Sequence, residues 1–260
     1  MNITAEHRVD DVLVERAFSL DDIDGVLWTS STASVESPAP LILLGQPGGF
    51  ALERMLPSLR ARARSAAASG IAAVAIEQPG AGRRPALPGA AEVRAELREV
   101  LGAGRSPSED LIDRLILPLV DRAVPEWRAV LDAVLQRDEI GDRVAVSGGV
   151  VSIATRLAIQ DPRIVAAGLF AGSFVPRSIL EEARSITIPI HMLLQWDDEG
   201  NDRQRALELF DTFGSAEKTL QANLGGHTGV PPYAGEDAAH FFARHLHPET
   251  LSPPAVDANP

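Results

Sequence analysis

The chain has 260 residues and no cysteine, and its 36 acidic and 24 basic residues give a formal net charge of −12. The absence of cysteine excludes disulfides, thiolate metal sites and a cysteine nucleophile. The acidic balance argues against a surface that binds nucleic acid or anionic membranes, since both need clustered Lys and Arg. Lys218 is the only lysine, which nearly excludes a catalytic amine.

Length and hydropathy bound the architecture further. A chain of 260 residues suits one large α/β domain with a substantial core. The first eleven residues lack the basic and apolar regions of a signal peptide, and no apolar run approaches the ~18 residues of a membrane span. We therefore expect a cytoplasmic protein.

In chain order, short apolar runs alternate with segments of helical periodicity. The runs predict strands at residues 12–20, 25–29, 41–44, 71–76, 143–147, 165–171, 188–195 and 219–222. The periodicity predicts helices at residues 51–69, 91–101, 109–120, 125–136, 152–159, 203–210 and 237–245. This order predicts a doubly wound, mostly parallel sheet of about eight strands, with the first two as an antiparallel edge pair.

Two segments depart from this rhythm. Residues 89–124 contain two helices that either cover a site as a small cap or pack as ordinary helices. Residues 248–260 carry four prolines and few large apolar residues, which predicts a disordered tail. The remainder, residues 1–247, reads as a single domain.

Ligands of open α/β sheets bind beyond the carboxyl ends of the strands, so the loops there hold the candidate site. The loop at residues 45–49 is glycine-rich and could present N–H groups to an oxyanion, or could simply form a tight turn. Its candidate binding residues are Gln46, Gly48, Gly49 and Phe50.

The loop at residues 147–152 matches the spacing of a nucleophile elbow, which requires small residues on both sides of a strained central position. Gly148 and Ser152 provide those small residues. They centre the elbow on Val150, with Gly149 and Val151 beside it. Valine can neither attack nor donate a hydrogen bond. A shifted register would offer Ser147 or Ser152 as an alternative nucleophile.

Two later loops supply an acid and a histidine. Trp196, Asp197 and Asp198 follow the strand at residues 188–195, and His227 lies in a glycine-rich loop after the last strand. An elbow followed by an acid and then a histidine is the chain order of an α/β-hydrolase triad.

Five segments carry a resemblance to a known family: LILLGQPGG, EQPGAG, VPEWR, LLQWDDE and NLGGH, at residues 41–49, 77–82, 124–128, 193–199 and 223–227. The chain resembles the α/β-hydrolase superfamily, and most of all dienelactone hydrolase-like proteins, over residues 12–246. The resemblance implies that His227 is the catalytic histidine and that Asp198, with Asp197 as its rival, is the acid. Two positions depart from the family: Gln46-Pro47 replaces a His-Gly pair, and Val150 replaces the nucleophile.

Three hypotheses follow. The first is an enzyme without a serine or cysteine nucleophile, in which His227 and Asp198 act on a small carbonyl compound, such as a secondary metabolite, by cyclisation, elimination, isomerisation or water addition. Gln46, Gly48, Gly49, Phe50 and Trp196 would bind its substrate. The second is a non-catalytic binding protein, and the third is a serine esterase or lactonase that uses Ser152 or Ser147. All three predict a small-molecule ligand without metal or cofactor, with a homodimer as an option.

Overall fold

The computed structural model describes residues 1–247, so the predicted tail at residues 248–260 lies outside the described part. Nine strands and seven helices follow one another along those residues. The strands are β1 (Asn2–Arg8), β2 (Leu13–Leu20), β3 (Ile23–Ser30), β4 (Ala39–Gly45), β5 (Ala72–Ile76), β6 (Ile140–Gly148), β7 (Ile164–Phe170), β8 (Ile190–Gln195) and β9 (Lys218–Asn223). The helices are α1 (Leu52–Ala68), α2 (Ala90–Gly102), α3 (Glu109–Val134), α4 (Val151–Gln160), α5 (Arg177–Ala183), α6 (Arg203–Thr212) and α7 (Pro232–Leu246).

The strands form one sheet in the order β1-β2-β3-β5-β4-β6-β7-β8-β9. In the sheet, each neighbouring pair from β5 through β4, β6, β7 and β8 to β9 is parallel. The pairs β1–β2, β2–β3 and β3–β5 are antiparallel. This arrangement confirms the predicted doubly wound, mostly parallel α/β fold. The connections place the loops after β4, β6, β7, β8 and β9 along one edge of the sheet.

The structure has one strand more than predicted, and the pair β2–β3 is not at the edge. Strand β1 was missed because its residues are mostly polar and exposed, so it carries no regular apolar pattern. It pairs with β2, and β5 pairs with β3, which moves the predicted edge pair into the sheet. The seven-residue helix α5 was also missed.

Helices cover both faces of the sheet and define two apolar cores. Helices α1 and α7 pack on one face, and α3, α4, α5 and α6 pack on the other. Trp28 lies in the first core and Trp127 in the second, and both are almost fully buried. Within residues 1–247, no helix is long and apolar enough to cross a membrane.

Helix α3 replaces the two helices predicted at residues 109–120 and 125–136. It runs unbroken through Pro118 and Pro125, although each proline removes one backbone donor from the helix. Eleven of its residues are buried, and this packing outweighs the local penalty. Arg84 bonds Glu126 on α3 through both of its terminal nitrogens, at 2.6 and 2.7 Å, and so ties the loop after β5 to this helix.

Candidate active site

A histidine–carboxylate pair lies at the carboxyl edge of the sheet. His227 Nδ1 is 2.7 Å from Asp198 Oδ2, and the carboxylate side chain is only 4% exposed whereas the imidazole is 51% exposed. The Phe170 ring meets the imidazole edge-on, with 5.3 Å between the ring centroids. The pair therefore combines a buried carboxylate with an accessible imidazole, as acid–base chemistry requires.

The loops after β8 and β9 hold this pair through backbone hydrogen bonds. Trp196 N–H donates to the carbonyl of Asn223, and the Gln195 side chain donates to the carbonyl of Gly226 at 3.1 Å. Asp197, the rival acid, instead accepts a bond from Gly225 N–H at 3.3 Å. Asp198, and not Asp197, is thus the carboxylate that contacts the histidine.

Val150 lies at the corner between β6 and α4, where it is the N-cap residue of the helix. Its φ of −75° is ordinary, and the left-handed φ values fall on Gly148 and Gly149, at 65° and 79°. A β-branched residue is strongly disfavoured at such angles, so the two glycines make the turn. Val151 begins the helix and is buried.

The residues predicted to bind substrate separate into two groups. Gly48 lines the cavity beside the histidine, but Gln46, Gly49, Phe50 and Trp196 are not among the lining residues. The Gln46 amide is 1% exposed and turned inward, with its Nε2 3.4 Å from the carbonyls of Phe50 and Ile76.

Phe50 and Trp196 lie outside the cavity, and each ring contacts an arginine side chain. Each is 39% exposed and lies under an arginine, Arg54 at 5.1 Å from the Phe50 ring centroid and Arg203 at 4.3 Å from the Trp196 ring centroid. These cation–π contacts account for both rings without a ligand.

A cavity of about 910 Å³ opens beside His227. It extends over the face of the sheet between α1 and α7, and its walls are mainly apolar. Helix α3 contributes Leu115, Ile116 and Leu119, so the segment predicted as a possible cap borders the cavity. The volume is in the range of pockets that enclose small molecules.

Three serines are candidate nucleophiles. Ser152 lies in α4, fully buried, and is not a lining residue. Ser147 lines the cavity, and its hydroxyl accepts a hydrogen bond from Arg62 at 3.0 Å. Ser173, in the loop after β7, also lines the cavity, and its hydroxyl has no partner within the described chain.

Sequence reasoning missed Ser173 and Arg62. Gly172 packs on the imidazole, since a Cβ there would be 2.8 Å from His227 Cε1, and this contact brings Ser173 toward the histidine. Nothing in the spacing of residues 171–175 signals that proximity. Arg62 reads as a polar position of an amphipathic helix, and only its hydrogen bonds to the ends of β4 and β6 reveal its place in the cavity wall.

No family model matches the sequence, and no curated protein matches it. Several solved structures do match this chain. A cold-adapted esterase from an Arctic intertidal metagenomic library is 25% identical, with a TM-score of 0.71 over 95% of this chain and 100% of that one. An acetyl xylan esterase from Paenibacillus sp. R4 is 16% identical, with a TM-score of 0.60 over 94% and 88% of the two chains. A predicted CIB-like hydrolase from Thermoplasma acidophilum is 16% identical, with a TM-score of 0.61 over 89% and 98%.

The chain therefore has the α/β-hydrolase fold, and its structural relatives support a hydrolase. They contradict the expectation of an enzyme that lacks a serine or cysteine nucleophile and works by cyclisation, elimination, isomerisation or water addition. The relatives include esterases, and esterases of this fold attack through a serine. The comparisons favour the alternative of a serine esterase.

Proposed function

We propose that the protein hydrolyses carboxylic esters through a serine nucleophile that His227 activates. The observation that carries this proposal is the hydrogen bond between His227 and the buried carboxylate of Asp198, beside a cavity of about 910 Å³. The 25% identical relative described as an esterase supports the same activity. The resemblance to dienelactone hydrolase-like proteins extends the proposed substrates to lactones, which are cyclic esters.

The chemistry follows from which imidazole nitrogen faces the acid. Because Nδ1 of His227 donates its proton to Asp198, Nε2 is free to act as a base. Nε2 takes the proton of the serine hydroxyl while the serine oxygen attacks the ester carbonyl carbon. The tetrahedral intermediate then breaks the bond to the leaving alkoxide, which takes that proton from Nε2. Water repeats both steps on the acyl-enzyme and releases the acid.

We favour Ser173 as the attacking serine, because the elbow corner carries Val150. Ser147 pairs in register with Gly168, whereas the histidine packs on the backbone of Gly172, four residues further along. Ser147 lies within β6, below the carboxyl edge of the sheet, and its hydroxyl already accepts a hydrogen bond from Arg62. Ser173 follows Gly172 directly and lines the cavity, and its hydroxyl has no hydrogen-bond partner within residues 1–247.

Gly48 would stabilise the oxyanion. It lines the cavity and faces Val150, since a Cβ on Gly48 would be 3.8 Å from Val150 Cγ2. Its N–H donates no hydrogen bond within the described chain, so it is available to a ligand. Pro47 has no N–H, and the Gln46 amide is turned inward, which leaves Gly48 as the donor on this side.

The proposal is tested with p-nitrophenyl acetate and butyrate, γ-butyrolactone and a fluorophosphonate probe, followed by peptide mapping of the labelled residue. We expect hydrolysis of the esters and a label on Ser173. Ser173→Ala should remove both the label and turnover. Ser178→Ala is the matched control, because that serine also has a buried, unpartnered hydroxyl but lies outside the cavity, and it should change neither.

Two results would contradict this assignment. A label on Ser147, lost in Ser147→Ala, would leave ester hydrolysis in place and overturn the choice of Ser173. An unlabelled protein that hydrolyses none of these substrates would overturn ester hydrolysis itself.

A further inference from the structure

Arg62 on α1 is a half-buried cation without an acidic partner. Its Nη1 donates to the carbonyl of Gly45 at 3.0 Å, and its Nη2 donates to the carbonyl of Ser147 at 2.6 Å and to the Ser147 hydroxyl at 3.0 Å. Within residues 1–247 no carboxylate lies within 4.0 Å of the guanidinium, and Nε makes no hydrogen bond. Burial lowers the pKa of Arg62 to about 10, so the group remains charged near neutral pH.

Two other enclosed arginines of this chain are paired with carboxylates. Arg84 is 8% exposed and contacts Glu126, and Arg156 is 14% exposed and contacts Glu182. A buried charge is costly unless an opposite charge accompanies it. In a chain with 36 acidic residues, the lack of one beside Arg62 leaves room for an anion that comes from outside the protein.

The surroundings of Arg62 restrict the chemistry of that anion. Arg62 and His227 line the same cavity. The walls between α1 and α7 are mostly aliphatic and aromatic, with Ile42, Leu44, Leu59, Ala238 and Phe242 among them. Such walls suit a hydrocarbon chain, and a guanidinium suits a carboxylate.

We propose that Arg62 binds a carboxylate at the far end of an aliphatic substrate chain, so that the preferred ester carries a free carboxylate several carbons from its ester group. This specificity rests on the proposed ester hydrolysis at His227. Arg62 contacts Ser147, which pairs with Gly168, whereas the imidazole packs on Gly172. Gly172 lies beyond the end of β7, so the carboxylate and the ester group would lie at different depths of the cavity.

Two matched esters test the specificity: the mono-p-nitrophenyl ester of octanedioic acid and p-nitrophenyl octanoate. We expect the octanedioate ester to have at least a tenfold higher kcat/KM. Arg62→Gln should lower the ratio of the two kcat/KM values at least tenfold, and Arg62→Lys should retain part of it. Arg94→Gln is the control, because Arg94 lines the cavity from α2 but is exposed, and it should leave the ratio unchanged.

A binding measurement separates this proposal from ester hydrolysis. Sodium octanoate should raise the melting temperature of the wild-type protein and octanamide should not, and Arg62→Gln should remove the difference. If no ester is hydrolysed but this pattern holds, the carboxylate site stands and the proposed activity fails. Equal binding of octanoate and octanamide, or a selectivity lost in Arg94→Gln but kept in Arg62→Gln, would overturn the site. The octanamide comparison needs no variant and holds even if Arg62→Gln fails to fold.

Discussion

The replacement Asp198→Asn tests the proposed catalytic pair most directly. The carboxylate is almost fully buried at 2.7 Å from His227 Nδ1, so in the proposed mechanism it stabilises the imidazolium that forms when Nε2 takes a proton. Opposite unit charges about 4 Å apart interact by about 4 kcal/mol at an effective dielectric constant of about 20. Because the imidazole is half exposed, solvent screening reduces this to about 2–3 kcal/mol. At about 1.36 kcal/mol per factor of ten, we expect kcat to fall about 30- to 150-fold.

The assay is steady-state hydrolysis of p-nitrophenyl butyrate by Asp198→Asn, His227→Ala and the double variant. If the two residues act as one unit, the double variant should be no slower than His227→Ala alone. Asp197→Asn is the matched control, since its carboxylate bonds the backbone of Gly225 and not the histidine. It should lower kcat by less than about threefold, as expected for the loss of one exposed hydrogen bond.

Two outcomes would refute this reasoning. If Asp197→Asn were the slower of the two variants, the acid would be the wrong carboxylate. If the losses in Asp198→Asn and His227→Ala multiplied in the double variant, the two side chains would act independently, and the hydrogen bond between them would have no part in catalysis.

Three further predictions concern stability, each measured by urea denaturation. Gly149→Ala should lower the free energy of unfolding by about 2–5 kcal/mol, because a Cβ at φ +79° would be 2.7–2.9 Å from the backbone at the end of β4. Gly102→Ala is the control: open space surrounds this glycine, so the free energy of unfolding should change by less than about 1 kcal/mol. Arg84→Met should cost about 1–3 kcal/mol, because Glu126 is buried and keeps only the ion pair with the exposed Arg122, and adding Glu126→Leu should recover most of the loss. Burial lowers the pKa of His191, so below about pH 6.5 the unfolded chain takes up a proton that the folded chain resists. The contribution of His191 to stability should therefore be fully present above that pH and be lost as the pH drops to 5. In His191→Asn the free energy of unfolding should fall less steeply over this range.

The parallel half of the fold was predictable because it follows from short-range patterns. Strands β4, β5, β7 and β8 and the middle of β6 are apolar runs that are mostly buried, so each is visible in a window of a few residues. Strand β1 is the counterexample: it is held by its pairing with β2, and its exposed polar side chains carry no record of that pairing. The unbroken helix α3 is a second one, because tertiary packing overrides two prolines.

The candidate site likewise contains features that the sequence predicts and features that it does not. The contact between His227 and Asp198 was predictable because topology brings the loops after β8 and β9 to one edge of the sheet. The inward turn of the Gln46 amide depends on carbonyl groups of Phe50 and Ile76 that only the fold brings within 3.4 Å. Residue type alone suggested the opposite orientation.

The position of the attacking group is where reasoning from a motif is weakest. An elbow motif fixes the corner between β6 and α4, but it does not require the reactive oxygen to come from that corner. Val150 occupies the corner, while Ser173 reaches the same cavity from the loop after β7, the next strand in the sheet. Because neighbouring parallel strands end at one edge, a hydroxyl on either strand can approach the same histidine. The absence of a nucleophile from the elbow therefore excludes attack from that one position. It does not exclude a nucleophile elsewhere in the cavity that borders the sheet edge.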